Sequence, residues 1–381
     1  MPKTAKTKKT DNPFAWEEKG SWRATFVRGM FDEENEETAR LLREASAGEK
    51  PRVFVVADAN VVQHTPGLGT AMGRYFAAHE IEMAGAPAVT GGGEKIKADM
   101  LQTAWHVLEC ATAAGVGGGD LIVAIGGGAL LDVASFAAAN LRGGVRIVRV
   151  PTTPAAMADT AFADFASLDM PYSKDAICVK SRPSAVIIDP SFASGVLDGV
   201  WRGGLGEIIR LCYIGGKNLL DQFEDSADYL RCRDIDVLDA ILRECLALRE
   251  KKSIPPFGLW SAIKLQSMSG YKLPHGYAVP MGMCIDTGYA VEKGLMEMSE
   301  RDRLKGLLAD CGALDGLSHS HHLLSQPEQI VEGMDEWRRH AGGMRPVPLA
   351  VAPGKVVYED EPDLALYEKV VRDFLSEAIG A

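Results

Sequence analysis

Two groups of residues in this 381-residue chain have types and spacing suited to chemistry. The first is spread over four short segments rich in glycine or threonine. Asp58 and Asn60 close a compact apolar run, "PRVFVVADAN", and Glu94 and Lys97 stand in "GGGEKIK". Gly126, Gly127 and Gly128 open "GGGALLD", which ends in Asp132, and Thr152, Thr153 and Asp159 stand in "VPTTPAAMAD". Carboxylates suit ribose hydroxyls, threonine hydroxyls suit polar edges, and glycines let backbone N–H groups approach a pyrophosphate. The triple glycine is not a GxGxxG fingerprint, so it counts only together with the other three segments. The second group lies in "PPFGLWSAIKLQSMSGYKLPHG". There His275 stands alone in a Pro-His-Gly turn, and Leu259 occupies the place, earlier in the segment, where a second metal ligand would be expected.

The elements around these residues predict how they are positioned. "PRVFVVADANVV", "GDLIVAIGGG", "GVRIVRVPTT" and "SAVIIDP" read as buried parallel strands, and "WRATFVRGMF" has strand-like content. "GLGTAMGRYFAAHEI", residues 99–115 and the stretch after the triple glycine read as helices. This alternation predicts an α/β, Rossmann-like, doubly wound domain over residues 20–197. From residue 198 the pattern turns amphipathic and helical, as in "DVLDAILRECLALREKK", which predicts an all-α domain over 198–381. The default place for a site is between the two. Residues 1–19 read as a disordered basic tail.

Composition narrows the function classes. Apolar content of 46% and charged content of 24% are ordinary for a chain with a sizeable core. A net charge of −11 argues against nucleic acid or an anionic membrane as the main partner. Seven scattered cysteines without a CxxC pair read as reduced thiols and imply a cytoplasmic location. No GxSxG elbow, Walker loop or zinc-finger spacing occurs. "SHSHHLL", with His319, His321 and His322, reads as a solvated face, and His340 in "WRRHAGG" is a further candidate for the pocket.

The run "AIGGGALLDVASFAAANLRGGVRIVRVPTT", followed in order by "AVIIDP", "GLGEIIR" and "LPHG", resembles the dehydroquinate synthase-like sugar phosphate cyclases. The resemblance, nearest the sedoheptulose 7-phosphate cyclase branch, covers residues 20–350. It implies bound NAD, with Asp58 and Asn60 near the adenosine and Glu94 and Lys97 by a ribose. Gly127 and Gly128 would face the pyrophosphate, with Asp132 just beyond them, and Thr152, Thr153 and Asp159 would approach the nicotinamide. It also implies a zinc held by one glutamate and two histidines. Glu207 matches the first and His275 the last, but the middle ligand falls on Leu259. Two protein ligands are too few to hold zinc well.

Further departures follow along the same family pattern. A second histidine falls on Ile263, a glutamate on Gln266, and the glutamate of an HGE turn on Tyr277. A substrate-contacting lysine falls on Phe165. The catalytic candidates that persist are Asp132, Lys174, Arg210 in place of a lysine, Lys252 at the start of an altered basic segment, and Arg142, which in the family reaches a neighbouring subunit's site. Iron-type polyol dehydrogenases share the two-domain plan and also need an acid and histidines, so Leu259 counts equally against them. The resulting expectation is an NAD-binding homodimer whose zinc-dependent chemistry is lost or altered. It would act as a partner of an active paralogue, a ligand sensor or a metal-free enzyme on a small phosphorylated or polyol-like ligand. The alternative is a working cyclase that eliminates phosphate from a seven-carbon sugar phosphate, with Asp132 or water as substitute ligand.

Overall fold

The computed structural model describes residues 24–46, 50–339 and 344–380. The tail over 1–19, Trp22 and Arg23 at the start of the first strand run, and His340 lie outside them, as does the side chain of His319.

The strands of the N-terminal half are β1 (Ala24–Phe26), β2 (Arg52–Asp58), β3 (Glu82–Met83), β4 (Ala88–Thr90), β5 (Leu121–Gly126) and β6 (Arg146–Pro151). They are followed by β7 (Phe165–Met170), β8 (Ser173–Lys180) and β9 (Ala185–Ile188). Seven of them form one parallel sheet in the order β1-β9-β6-β5-β2-β3, with β4 also pairing β2. In β2, Phe54 and Val56 face one core while Val53, Val55 and Ala57 face the other. Such a strand stays dry only if helices cover both faces of the sheet. The Glu36–Ala45 and Leu68–Ala78 helices supply residues to one core, and the Gln102–Ala113 and Gly128–Asn140 helices to the other. The Gly128–Asn140 helix is apolar nearly all round because it lies between the sheet on one side and the Gln102–Ala113 helix and strands β7 and β8 on the other.

From β2 the chain runs outward to β3 and β4, and it then returns to the other side of β2 as β5. That reversal opens a crevice at the carboxyl ends of β2 and β5, where open α/β sheets bind ligands. β7 and β8 leave the sheet and form an antiparallel hairpin of their own. The sequence reading did not separate this hairpin from the strands around it.

From Asp198 on the chain is helical, but it also carries a hairpin, β10 (Val347–Ala352) and β11 (Lys355–Glu359), that was not anticipated. No helix among the described residues is long and apolar enough to cross a membrane. Glycines let the helices of this half approach closely. A Cβ on Gly276 would lie 2.6 Å from the backbone of Gly203, which joins the Asp198–Gly215 and His275–Glu292 helices at backbone contact.

The Leu259–Met268 helix begins after Gly258, whose φ of 75° favours glycine and whose Cβ would meet the Met283 nitrogen at 2.8 Å. Asp286, 1% exposed, holds this start in place. It accepts from Gly258 N at 2.8 Å, Trp260 Nε1 at 2.7 Å and the Tyr367 hydroxyl at 3.3 Å. Burial outweighs these donors and pushes its carboxyl up to about 7. The folded state therefore holds this proton more tightly than the unfolded chain does. Stability from this group is full below about pH 4 and is lost as pH rises through about 7. Urea midpoints measured from pH 5 to 8 will fall more steeply for the wild type than for Asp286→Asn. Equal slopes would show that Asp286 does not titrate in this range.

Candidate functional site

The sheet's carboxyl edge and the helical half enclose a cavity of about 830 Å³. On the sheet side, Asp58 ends β2 and accepts from Asn60 N at 2.8 Å and Asn60 Nδ2 at 3.0 Å. Gly127 and Gly128 follow β5, and the free N–H groups of the Gly128–Asn140 helix begin there. A Cβ on Gly127 would sit 3.2 Å from Thr153 Cγ2, and one on Gly128 would sit 2.9 Å from Thr160 Oγ1. Thr152 follows β6 with its hydroxyl buried and, among the described residues, unpartnered, while the Thr153 hydroxyl accepts from Ala156 N at 3.3 Å. Asp159 is bound by the guanidinium of Arg249.

A buried charge network forms the inner wall. Lys97 Nζ lies 2.7 Å from Asp132, 3.0 Å from the Ser167 hydroxyl and 3.1 Å from Asp175. Lys174 Nζ lies 3.2 Å from Glu94 and 3.4 Å from Asp169. Burial works against the charge on Glu94, but Lys174, His275 and Lys97 outweigh it and hold the carboxyl at about 2. For both lysines, burial is overcome by the carboxylates around them, so their pKa values rise and the ammonium forms persist.

At the helical end the arrangement differs. Glu207 and Arg210 are 1% and 2% exposed and stand one turn apart on the Asp198–Gly215 helix. Arg210 Nη2 donates to Glu207 Oε1 at 2.6 Å, Nε lies 3.1 and 3.2 Å from the two carboxylate oxygens, and Nη1 donates to Pro255 O at 3.1 Å. Both oxygens of Glu207 are thus taken by a guanidinium, and neither residue borders the cavity. Leu259 and Ile263 do border it and share a helix face with Gln266. His275 Nδ1 lies 3.1 Å from Gln266 Oε1, and burial pushes its pKa down to about 4. The ring is neutral at pH 7, with Nδ1–H donating and Nε2 left as an acceptor.

The cavity therefore collects Asp58, Asn60, Glu94, Lys97, Gly127, Gly128, Asp132, Thr152, Thr153, Asp159, Lys174 and His275. It does not collect all the expected residues. Lys252 is exposed, and its ammonium donates to Ile214 O at 2.7 Å, so it caps a helix end instead of meeting a ligand. Arg142 lies on an exposed turn beyond the far end of the Gly128–Asn140 helix, about 20 Å from the glycines by helix rise. Within its own chain it does not reach the cavity. Among the described residues no three His, Cys, Asp or Glu side chains are placed to hold a metal ion. His321 and His322 are exposed on the Leu317–Leu324 helix. The sequence reading missed Asp169, Ser167 and Arg249. Asp169 and Ser167 alternate on β7, a pattern that a hairpin assignment would have exposed.

An α/β domain with its ligand crevice at a reversal in strand order, closed by a helical domain, defines a dinucleotide-type fold with a small-molecule cavity. The 3-dehydroquinate synthase N-terminal family model matches residues 88–199 and the corresponding C-terminal model matches 204–334. The chain belongs to the dehydroquinate synthase-like family of sugar phosphate cyclases. It is 27% identical over 286 residues to 3-dehydroquinate synthase of Pyrobaculum islandicum, covering 72% of this chain and 82% of that protein. With the Nostoc punctiforme enzyme it shares 32% over 265 residues, 66% of this chain and 72% of the other. The fold matches 2-epi-5-epi-valiolone synthase from Streptomyces hygroscopicus subsp. jinggangensis, solved with NAD+ and Zn2+. The TM-score is 0.82 at 20% identity, over 94% of this chain and 98% of that one. It also matches 2-deoxy-scyllo-inosose synthase complexed with carbaglucose-6-phosphate, NAD+ and Co2+, with a TM-score of 0.71 at 18% identity, over 92% and 96% of the two chains.

Proposed function

We propose that this protein binds NAD in the cavity and does not carry out metal-dependent phosphate elimination. The fit of NAD rests on this chain's own residues. Gly127 and Gly128 line the cavity, the N–H groups of a thirteen-residue helix begin there, and Thr152 offers a buried hydroxyl that is unpartnered among the described residues. Asp58 and Glu94 supply carboxylates on the same wall. Bound there, NAD would supply a hydride acceptor or donor.

A zinc ion does not fit in the same way. The observation that carries the reading is the Glu207–Arg210 pair. The carboxylate that would bind a metal is sealed beneath the cavity surface and neutralised by a guanidinium, which cannot be deprotonated to make way. Leu259 has no lone pair to offer, and Asp132, the candidate substitute, is bound to Lys97. With the metal corner closed, the remaining polar groups can bind and orient a ligand but lack a strong electrophile for its oxygens. Homodimer formation, expected from the family resemblance, belongs to the same proposal.

The test combines two measurements on one preparation. After incubation with zinc and dialysis, the protein will retain substoichiometric metal. It will release phosphate from sedoheptulose 7-phosphate, with NAD and added zinc or cobalt, no faster than the buffer control. One chelator-removable zinc per chain, together with phosphate release, would overturn the proposal and restore the cyclase reading.

A further inference from the structure

We propose that the inner end of the cavity binds an uncharged polyhydroxylated molecule, a cyclitol or an open-chain polyol, in preference to its phosphate ester. This rests on the reading above that phosphate elimination is absent, and it names what the site takes instead.

The first ground is the state of the cations. A phosphate dianion needs donors that are free to turn to it. Lys97 is already shared by Asp132 and Asp175, Lys174 by Glu94 and Asp169, and Arg249 is held by Asp159. Drawing Lys97 or Lys174 onto a phosphate would leave a buried carboxylate, Asp132 or Asp169, beside a second negative group, which is strongly unfavourable. Two lysines of the lining, Lys95 and Lys272, form no ion pair among the described residues, but both are exposed. The inner wall thus has no uncommitted cation.

The second ground is what the inner wall does offer. A hydroxyl donates one hydrogen bond and accepts others, so it can bridge an ammonium and a carboxylate without changing the net charge. Lys97 with Asp132 and Lys174 with Glu94 present that pairing twice, 2.7 and 3.2 Å apart. His275 Nε2 adds a neutral acceptor, since its other nitrogen is committed to Gln266. Beside these groups Leu259, Ile263 and Phe165, the last 38% exposed, also line the cavity. Apolar surface next to clustered donors and acceptors suits a molecule with a C–H face and hydroxyls on its rim. Those three side chains give a phosphate no donor.

The experiment uses the full chain with saturating NAD and two matched pairs of probes: myo-inositol with myo-inositol 1-phosphate, and sedoheptulose with sedoheptulose 7-phosphate. Calorimetric titration at millimolar ligand will show binding of at least one uncharged member, with its ester about tenfold weaker or more. His275→Leu will weaken the uncharged ligand by about tenfold, and Phe165→Lys, at a partly exposed position, will reverse the preference toward the ester. Tighter binding of both esters by the wild type, or no binding of either uncharged probe, overturns the inference. Zinc uptake measured on the same sample separates the failures. Ester preference without zinc removes this inference alone, whereas zinc uptake with phosphate release removes the reading beneath it.

Discussion

Arg210→Met will destabilise the protein by about 3–5 kcal/mol, because it leaves the Glu207 carboxyl without its ion-pair partner at 1% exposure. The double variant Glu207→Leu/Arg210→Met will recover most of that loss, since an apolar pair of similar volume needs no desolvation of charge. Urea midpoints for the two single variants and the double form a closed cycle that isolates the pair's coupling. A loss below about 1 kcal/mol for Arg210→Met would mean that Glu207 has another means of compensation. The cycle also tests the metal question independently of activity. In a metal-binding protein, added zinc would restore stability to Arg210→Met by taking over the freed carboxylate. We expect no such rescue, because Leu259 leaves His275 as the remaining nearby ligand.

Gly128→Val will abolish the NAD-induced rise in melting temperature, corresponding to a loss of affinity of about 100-fold or more, ~2.7 kcal/mol. The side chain would project where the helix N-terminus meets the cavity, and its Cβ would already sit 2.9 Å from Thr160 Oγ1. To separate lost binding from strain, the same change is made with Thr160→Ala, which removes the clashing hydroxyl. If the double variant is as stable as the wild type yet shows no NAD shift, the cofactor approaches the backbone at this point. An undiminished shift would place NAD elsewhere on the protein.

Much of the sheet side of the cavity was legible in the sequence because several of its residues sit at the end of an apolar strand. Asp58 ends β2, Gly127 and Gly128 follow β5, and Thr152 follows β6. In a parallel sheet those ends converge whatever the loops do, so local reading suffices. Leu259 was equally plain, since it is an apolar side chain where the family resemblance implies a ligand. What could not be read was the replacement. That Arg210 turns back on Glu207 depends on rotamers, and that Arg249 reaches Asp159 depends on a contact between residues far apart in the chain. Lys252 looked like a ligand-binding cation until the end of the Asp198–Gly215 helix gave it a carbonyl to cap. The hairpins were obscured for another reason. β7 and β8 alternate only partly, and β10 and β11 follow a long helical stretch whose pattern predicts more helix.

If the proposed reading holds, the Glu207–Arg210 pair also fixes the order in which this site could gain a metal. Leu259→His alone supplies a ligand to a corner where the acid is already committed, so it gains no metal and introduces a polar ring into an apolar wall. Arg210→Lys alone gives up the bidentate grip and gains no ligand. Each single step lies downhill in stability with no compensating activity, and only the two together open a path. On that reading the pair acts as a ratchet: one-at-a-time substitution does not open the corner to a metal.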